Sequence, residues 1–350
     1  MRWFVPEVSE FVLDTLWAFL KSGFFIGFLS SLSAGLFLAY MGIRFRGRLR
    51  KIFGLPELLH VRAPLMLASA PLFVSKALNV WEEHGLNVDL DFRYAGTDAL
   101  QDLHQGRCQF AVASDVALAS FLKETVRDAY KISVMPLVQI EDHLKFIVSN
   151  DSCISAIADL RAGRRVAYLP GSVHKHFLSV AGIPEASLEP KTSVMDCYHS
   201  LVDRRAEKSV EACVLWEPHY RAFADRYGMR LLDDDVCYTW FLCLIARDKF
   251  LKEQDTVRRN MLSAMKTVTR RCNQEPDKVI EACVAYLQTE FTGVGNGELR
   301  ELLDKGKHHF GVQDNVKEFI ERLQQLGAEG GAVGSGAVML RTSLWPGLAA

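Results

Sequence analysis

At three places in this chain a short apolar run closes on a small polar residue and a helical pattern begins: Ser69 ahead of Pro71, Ser114 with Asp115, and Gly171 with Ser172. The first N–H groups of a helix have no intrahelical partner and lie under the positive end of its dipole. Several such starts around one crevice can therefore hold an oxyanion. In open α/β sheets that crevice lies beyond the strand ends. Each serine also has a plainer use as the N-cap of its own helix, and for any single one that use is favoured. Convergence of the three is what points to a site. Asp115 complicates an anionic ligand, because a carboxylate facing the crevice repels it. Either it caps its helix and points away, or the ligand is cationic or neutral. Lys76, one turn beyond Ser69, reads as a solvated side chain.

Other chemistry is poorly represented. His174 and His176 stand two apart, so on a helix they point in different directions and cannot share an ion; His308 and His309 are adjacent and fail in the same way. No metal and no cofactor is expected. No G-x-S-x-G or P-loop pattern is present, and the chain reads as a non-enzyme. The eight cysteines, at 108, 153, 197, 213, 237, 243, 272 and 283, form no C-x-x-C pair and mostly sit in apolar runs. That scatter is a weak indication of a reducing compartment. The 41 basic and 42 acidic residues nearly cancel, which argues against a nucleic-acid surface.

The elements that must position these residues alternate. Strands are expected at 63–68, 88–92 and 109–113, with helices at 71–83, 97–105 and 115–125 between and after them. The order restarts with a strand at 165–169, a helix at 172–181, a strand at 212–215 and a helix from about Glu217. Such alternation predicts a largely parallel sheet in each block. Segments 145–149 and 238–246 have the length of strands crossing between the blocks, which implies a hinge. Residues 249–326 read as helical, with Glu275 and Pro276 opening one helix, and the glycine- and alanine-rich stretch 328–350 reads as mobile or loosely docked.

Ahead of all this, 22–43 contains no Asp, Glu, Lys, Arg or His, and Arg44, Arg46, Arg48, Arg50 and Lys51 follow at once. A helix of that length spans a hydrocarbon core of about 30 Å. The basic cluster behind it favours a cytoplasmic C-terminal body, with the periplasmic or extracellular face as the alternative, on a single-pass protein of the inner (plasma) membrane. Gly23, Gly27, Ser31, Gly35 and Ala39 recur every fourth residue and form a smooth helix-packing face. They imply a membrane-protein partner or self-association.

Two stretches, Ser69-Ala70-Pro71-Leu72-Phe73-Val74 and 81–90 (Trp-Glu-Glu-His-Gly-Leu-Asn-Val-Asp-Leu), resemble the opening of the solute-binding proteins for nitrate, sulfonates, taurine and thiamine-pyrimidine precursors. Ala99-Leu100-Gln101 with Gly106, Phe110-Ala111-Val112-Ala113, 160–172 and Trp216-Glu217-Pro218 fit in order. Asn79 stands where that family usually has glycine, and asparagine is the other residue that tolerates a left-handed turn. The resemblance implies a two-lobed type II periplasmic-binding-protein α/β fold after the single transmembrane helix. Its parts would be an N-terminal segment 1–21, the span 22–43, a basic linker 44–58, lobe 1 at 59–145 and 240–327, lobe 2 at 146–239, and a flexible tail 328–350. It further implies that Ser69, Ser114, Asp115, Gly171, Ser172, Trp216 and Glu217 line an interlobe cleft.

The fungal thiamine-pyrimidine synthase branch of that resemblance needs a lysine and a histidine where Ala113 and Ala117 stand, so enzymatic use is not expected. Two functions follow. One is capture of a small oxyanion, sulfonate or pyrimidine-like ligand, with an ABC permease as partner or as a sensor. The other is an accessory or structural subunit of a larger membrane complex, with a vestigial cleft.

Overall fold

Two β-sheets divide the strands between them, and the chain passes from one to the other and back. The computed structural model describes residues 57–93, 95–124, 131–141, 143–170, 173–202, 210–216, 219–220, 224, 227–232, 236–287, 308–311, 319–322, 325–326 and 342–345. The first sheet begins with β1 (Leu58–Pro64), β2 (Asn87–Arg93), β3 (Phe110–Ser114) and β4 (Ile132–Glu141). The second holds β5 (Leu144–Ser149), β6 (Val166–Tyr168), β7 (Leu188–Pro190), β8 (Ala212–Trp216) and β9 (Met229–Leu231). The chain then returns to the first sheet with β10 (Thr239–Arg247), β11 (His308–Phe310) and β12 (Thr342–Leu344). The spatial orders are β11-β4-β10-β3-β1-β2, with β12 also on β4, and β7-β6-β8-β5-β9. Each sheet with its helices is one lobe.

The expectation of largely parallel sheets is corrected. β1 pairs parallel with β2 and β3, but β10 runs antiparallel to both β3 and β4, and β5 runs antiparallel to β8 and β9. A strand that arrives by crossing from the other lobe has no helical crossover to reverse it, so it enters the sheet in the opposite sense. Segments 145–149 and 238–246 are strands, but neither crosses between the lobes. β5 belongs wholly to the second sheet and β10 wholly to the first, and the crossings are the connections between Glu141 and Leu144 and between Leu231 and Thr239.

The long helix expected over 71–83 is two helices, Ala70–Ala77 and Val80–Glu83. They break at Asn79, whose φ of 53° is the left-handed turn that glycine or asparagine adopts with least strain. Helix Asp255–Gln274 buries Met261, Ala264, Met265, Val268 and Cys272, a stripe of helical period that covers the first lobe. Helices Ala70–Ala77 and Pro276–Leu287 are joined by the stacked rings of Phe73 and Tyr286, 4.9 Å apart.

The stretch read as wholly helical up to 326 includes the strand β11, and the tail read as loose is tied down at one point. β12 pairs parallel with β4, from Thr342 opposite Ile132 to Leu344 opposite Val134. Trp345 is buried, stacks at 5.9 Å on Phe110 and donates its indole N–H to the Arg258 carbonyl at 3.4 Å. Glycine-rich composition hid an aromatic anchor. The proposed span 22–43, its small-residue face and residues 44–56 of the basic linker lie outside the described residues, and Leu58, drawn as the linker's last residue, instead opens β1. Among the described residues no helix is long and apolar enough to cross a membrane.

Truncating a buried tryptophan typically removes about 3–5 kcal/mol. Trp345→Ala is therefore expected to lower the unfolding free energy by about that much, read as a fall in denaturant midpoint. An unchanged midpoint would mean the final strand adds nothing to the first lobe.

Candidate ligand-binding cleft

The two tryptophans that line one cavity from different lobes owe their places to one short crossing. Trp240, just after β10 returns to the first lobe, lies opposite Ile140, just before β4 leaves it. Trp216, at the end of β8, lies opposite Leu144, the first residue of β5 after the chain enters the second lobe. Because backbone hydrogen bonds set both registers, both indoles are carried to the mouth of the same crossing. Leu242 and Cys243 face Val138 and Pro136, so Leu137 of β4 is a bulged extra residue next to a proline that has no N–H to give the ladder.

Around these rings the strand ends converge. From the first lobe come Pro64, Leu65 and Met66 after β1, Ala95 and Gly96 at the start of helix Gly96–His104, Ser114 at the end of β3, Ala117, Trp240 and Leu242. Leu169, Pro170, Val173 and Trp216 come from the second. Together they line a half-open cavity of about 70 Å³. Gly96 is required by the close approach of its helix to β3, since a Cβ there would lie 3.0 Å from both Cα and Cβ of Ala113. Ser114 caps helix Asp115–Glu124 by accepting the Ala117 N–H at 3.0 Å, which leaves its own hydroxyl hydrogen to donate.

Trp216 is gripped by two imidazoles. His174 stacks on it with centroids 4.8 Å apart, and His219 meets it edge-on at 5.1 Å. Burial holds both rings neutral, pushing each down to about 3. Among the described residues the indole N–H groups of Trp216 and Trp240 are buried without a hydrogen-bond partner. An indole nitrogen only donates, and a buried unsatisfied donor costs about 1–3 kcal/mol. Both tryptophans line the cavity, so an acceptor there would reach either N–H through a small rotation of the ring.

Of the residues expected to line the cleft, Ser114 and Trp216 do. Ser69 stands behind the wall, its hydroxyl donating to the Pro64 carbonyl at 2.6 Å and tying the end of β1 to helix Ala70–Ala77. Asp115 is also absent from the lining. It is fully buried, accepts the Val116 N–H at 2.8 Å on Oδ1, and forms an ion pair through Oδ2 with Arg322 Nε at 3.4 Å. Burial outweighs the nearby guanidinium and raises its carboxyl to about 6. Gly171, Ser172 and Glu217 lie outside the described residues.

The four histidines diverge as their spacing requires. His174 meets Trp216 while His176 reaches Arg322, and His308 packs on His143 while His309 reaches Glu141. All eight cysteines are free and six are buried, with Cys108 and Cys197 pushed up to about 12 by burial. Trp240 is the main lining residue that sequence reasoning missed. Its only signal is a single large ring with a polar N–H in an aliphatic strand.

Two lobes with strand ends facing across a cleft define the periplasmic-binding-protein class of α/β fold. The chain belongs to the NMT1/THI5-like family, whose profile it matches over residues 67–279. It is 28% identical over 158 residues to the "Putative aliphatic sulfonates-binding protein" of Escherichia coli (strain K12). That match covers 44% of this chain and 48% of the relative, so it spans about half the relative's length.

Among solved structures it resembles the Candida albicans CA3427 gene product, described as having the generic periplasmic binding protein fold. The TM-score is 0.66 at 14% identity, covering 82% of this chain and 96% of that one. It also resembles the alkanesulfonate-binding protein SsuA from Xanthomonas axonopodis pv. citri bound to MOPS. There the TM-score is 0.59 at 15% identity, with 82% and 95% covered.

Asp115 makes a pH prediction whose sign follows from its raised value. A carboxyl at about 6 in the folded chain and about 3.9 when unfolded binds its proton more tightly in the folded state, so its contribution to stability is fully present below about pH 4 and is lost as pH rises through about 6. The unfolding free energy of wild type relative to Asp115→Asn should therefore fall over that interval, by up to about 3 kcal/mol. Parallel pH profiles for the two proteins would contradict the assignment.

Proposed function

We propose that this protein is a non-enzymatic solute-binding protein of the ABC-importer type, whose interlobe cleft takes a small solute with an apolar body and an acceptor-rich head. The carrying observation is the cavity lined by Trp240 and Ser114 from one lobe and Trp216 from the other, two tryptophans whose buried indole N–H groups have no hydrogen-bond partner among the described residues. An acceptor group bridging both indoles would satisfy two buried donors at once and would be fully bound only when the lobes are closed. The apolar remainder of the wall suits an alkyl or flat ring portion. The names of the E. coli relative and of the Xanthomonas structure support a sulfonate as the first candidate, with other small oxyanions and pyrimidine-like rings next.

The test is thermal-shift and calorimetric titration with alkanesulfonates, taurine, MOPS, nitrate and aminopyrimidines, since a ligand that binds only the folded state raises the melting temperature. For the solute that binds, Trp216→Phe and Trp240→Phe keep the ring and remove the N–H. Each is expected to weaken binding about tenfold, the equivalent of about 1.4 kcal/mol. Equal affinity in both variants would remove the indoles from recognition.

The uncharged run 22–43 and its trailing arginines support a different placement, a span of the inner membrane with the lobes on the cytoplasmic face. That placement is not where an importer's receptor works, and it favours the second reading, an accessory subunit of a membrane complex. Trypsin added to right-side-out spheroplasts decides between them. Protected lobes are expected on the cytoplasmic placement, and digestion would restore the receptor outside.

A further inference from the structure

Arg322 stands where both lobes and one crossing meet. Its Nε faces Asp115 Oδ2 at the start of helix Asp115–Glu124 in the first lobe. Its Nη2 donates to Tyr238 Oη at 3.2 Å, in the connection that returns from the second lobe. The same Nη2 lies 3.3 Å from Nδ1 of His176, on helix Val173–Val180 of the second lobe. The guanidinium also sits 5.3 Å from the centre of the Tyr238 ring, which is itself 5.5 Å from the His176 ring. Phe319, one turn earlier, is buried against Phe241 of β10, so the segment carrying Arg322 is anchored in the first lobe. A guanidinium has donors only. Its contact with His176 is therefore a hydrogen bond only while Nδ1 is unprotonated and the ring hydrogen is on Nε2.

We infer that Arg322 is an interlobe clasp, seated by Asp115, that holds the cleft closed through the neutral imidazole of His176 and releases it when that ring takes up a proton. The clasp regulates the cleft read above as a solute site, and as a regulation of that site it rests on that reading. Protonation does two things at once: it removes the acceptor, and it sets a second cation beside a guanidinium whose side chain is only 15% exposed, where solvent screens little. Among the described residues the polar groups facing His176 are Arg322 and Tyr238. Lys175, next to it on the same helix, is drawn away to Glu185 at 2.8 Å. Asp115 faces Arg322 and the buried Cys243 thiol of β10, and because its carboxyl titrates near about 6 the test must separate it from His176.

The test uses the full chain with Cys153 and Cys237 changed to serine and spin labels at Gln101→Cys in the first lobe and Asn150→Cys in the second. The interlobe distance is measured with no solute added. Lowering the pH from about 7.5 to about 5.5 is expected to raise the longer-distance population roughly threefold or more. His176→Phe keeps a ring against Tyr238 but has no acceptor, and should be open at both pH values. His176→Gln keeps an acceptor that does not titrate, and should stay closed at both. A wild-type distance that ignores pH would overturn the clasp, as would a His176→Phe protein as closed as wild type or a His176→Gln protein that opens with acid. Failure here leaves solute binding by the indoles intact, and failure of the solute titrations leaves the clasp intact.

Discussion

The antiparallel ladder between β4 and β10 is the constraint on which the other arrangements depend. It runs from Ile132 opposite Arg247 to Glu141 opposite Thr239, in the middle of the first sheet, and nearly every residue in it is buried. At its far end the chain leaves for the second lobe on one strand and has just returned from it on the other. The ladder's hydrogen bonds are satisfied only in register, and a one-residue slip would turn every buried side chain to the opposite face. Both exits are therefore fixed at the same edge of the sheet. The second lobe can then sit only where its strand ends meet those of the first, and the cleft is a consequence of that junction.

Close approach at the junction is achieved by small residues, and its chemistry by large ones. Gly96 lets a helix start rest on the end of β3, and Ser69 and Ser114 spend their hydroxyls on fixing strand ends to helices. The cavity they leave is walled by rings. Trp216 is held between His174 and His219, which burial keeps neutral, so its orientation is set by packing and does not change with charge across the physiological pH range. A wall of this kind is rigid within each lobe, and adjustment on binding falls to the hinge and to the contacts that cross it.

Much of the first lobe's element order was readable because its strands alternate with amphipathic helices, and the resemblance named the family. What was not readable has particular causes. The sheets read as parallel because an apolar run has no direction: β5 and β10 look in sequence like any other buried strand, and only the path between the lobes makes them antiparallel. The break after Ala77 was foreshadowed by Asn79, yet the helix was drawn through it, because hydrophobic periodicity continues on both sides of a single left-handed residue. The final strand was lost because glycine-rich composition reads as loose, while one tryptophan is enough to dock a short segment when a sheet edge and an aromatic face are waiting for it.

The site was half legible for a different reason. Sequence proposed polar residues at strand ends, and polar residues there have two fates that look identical in one dimension. Ser69 and Asp115 found protein partners, the Pro64 carbonyl for one and the Val116 N–H and Arg322 for the other, and so became part of the scaffold. Trp240 was not singled out within the apolar run 238–246, yet it lines the cavity and its buried N–H has no partner among the described residues. Burying a donor without a partner is unfavourable. A fold keeps one only where its packing allows no other choice or where something outside the chain supplies the acceptor. Trp81 keeps such an N–H away from the cavity, where packing alone accounts for it, whereas Trp216 and Trp240 come from different sheets and line one cavity, and that coincidence fits the second case.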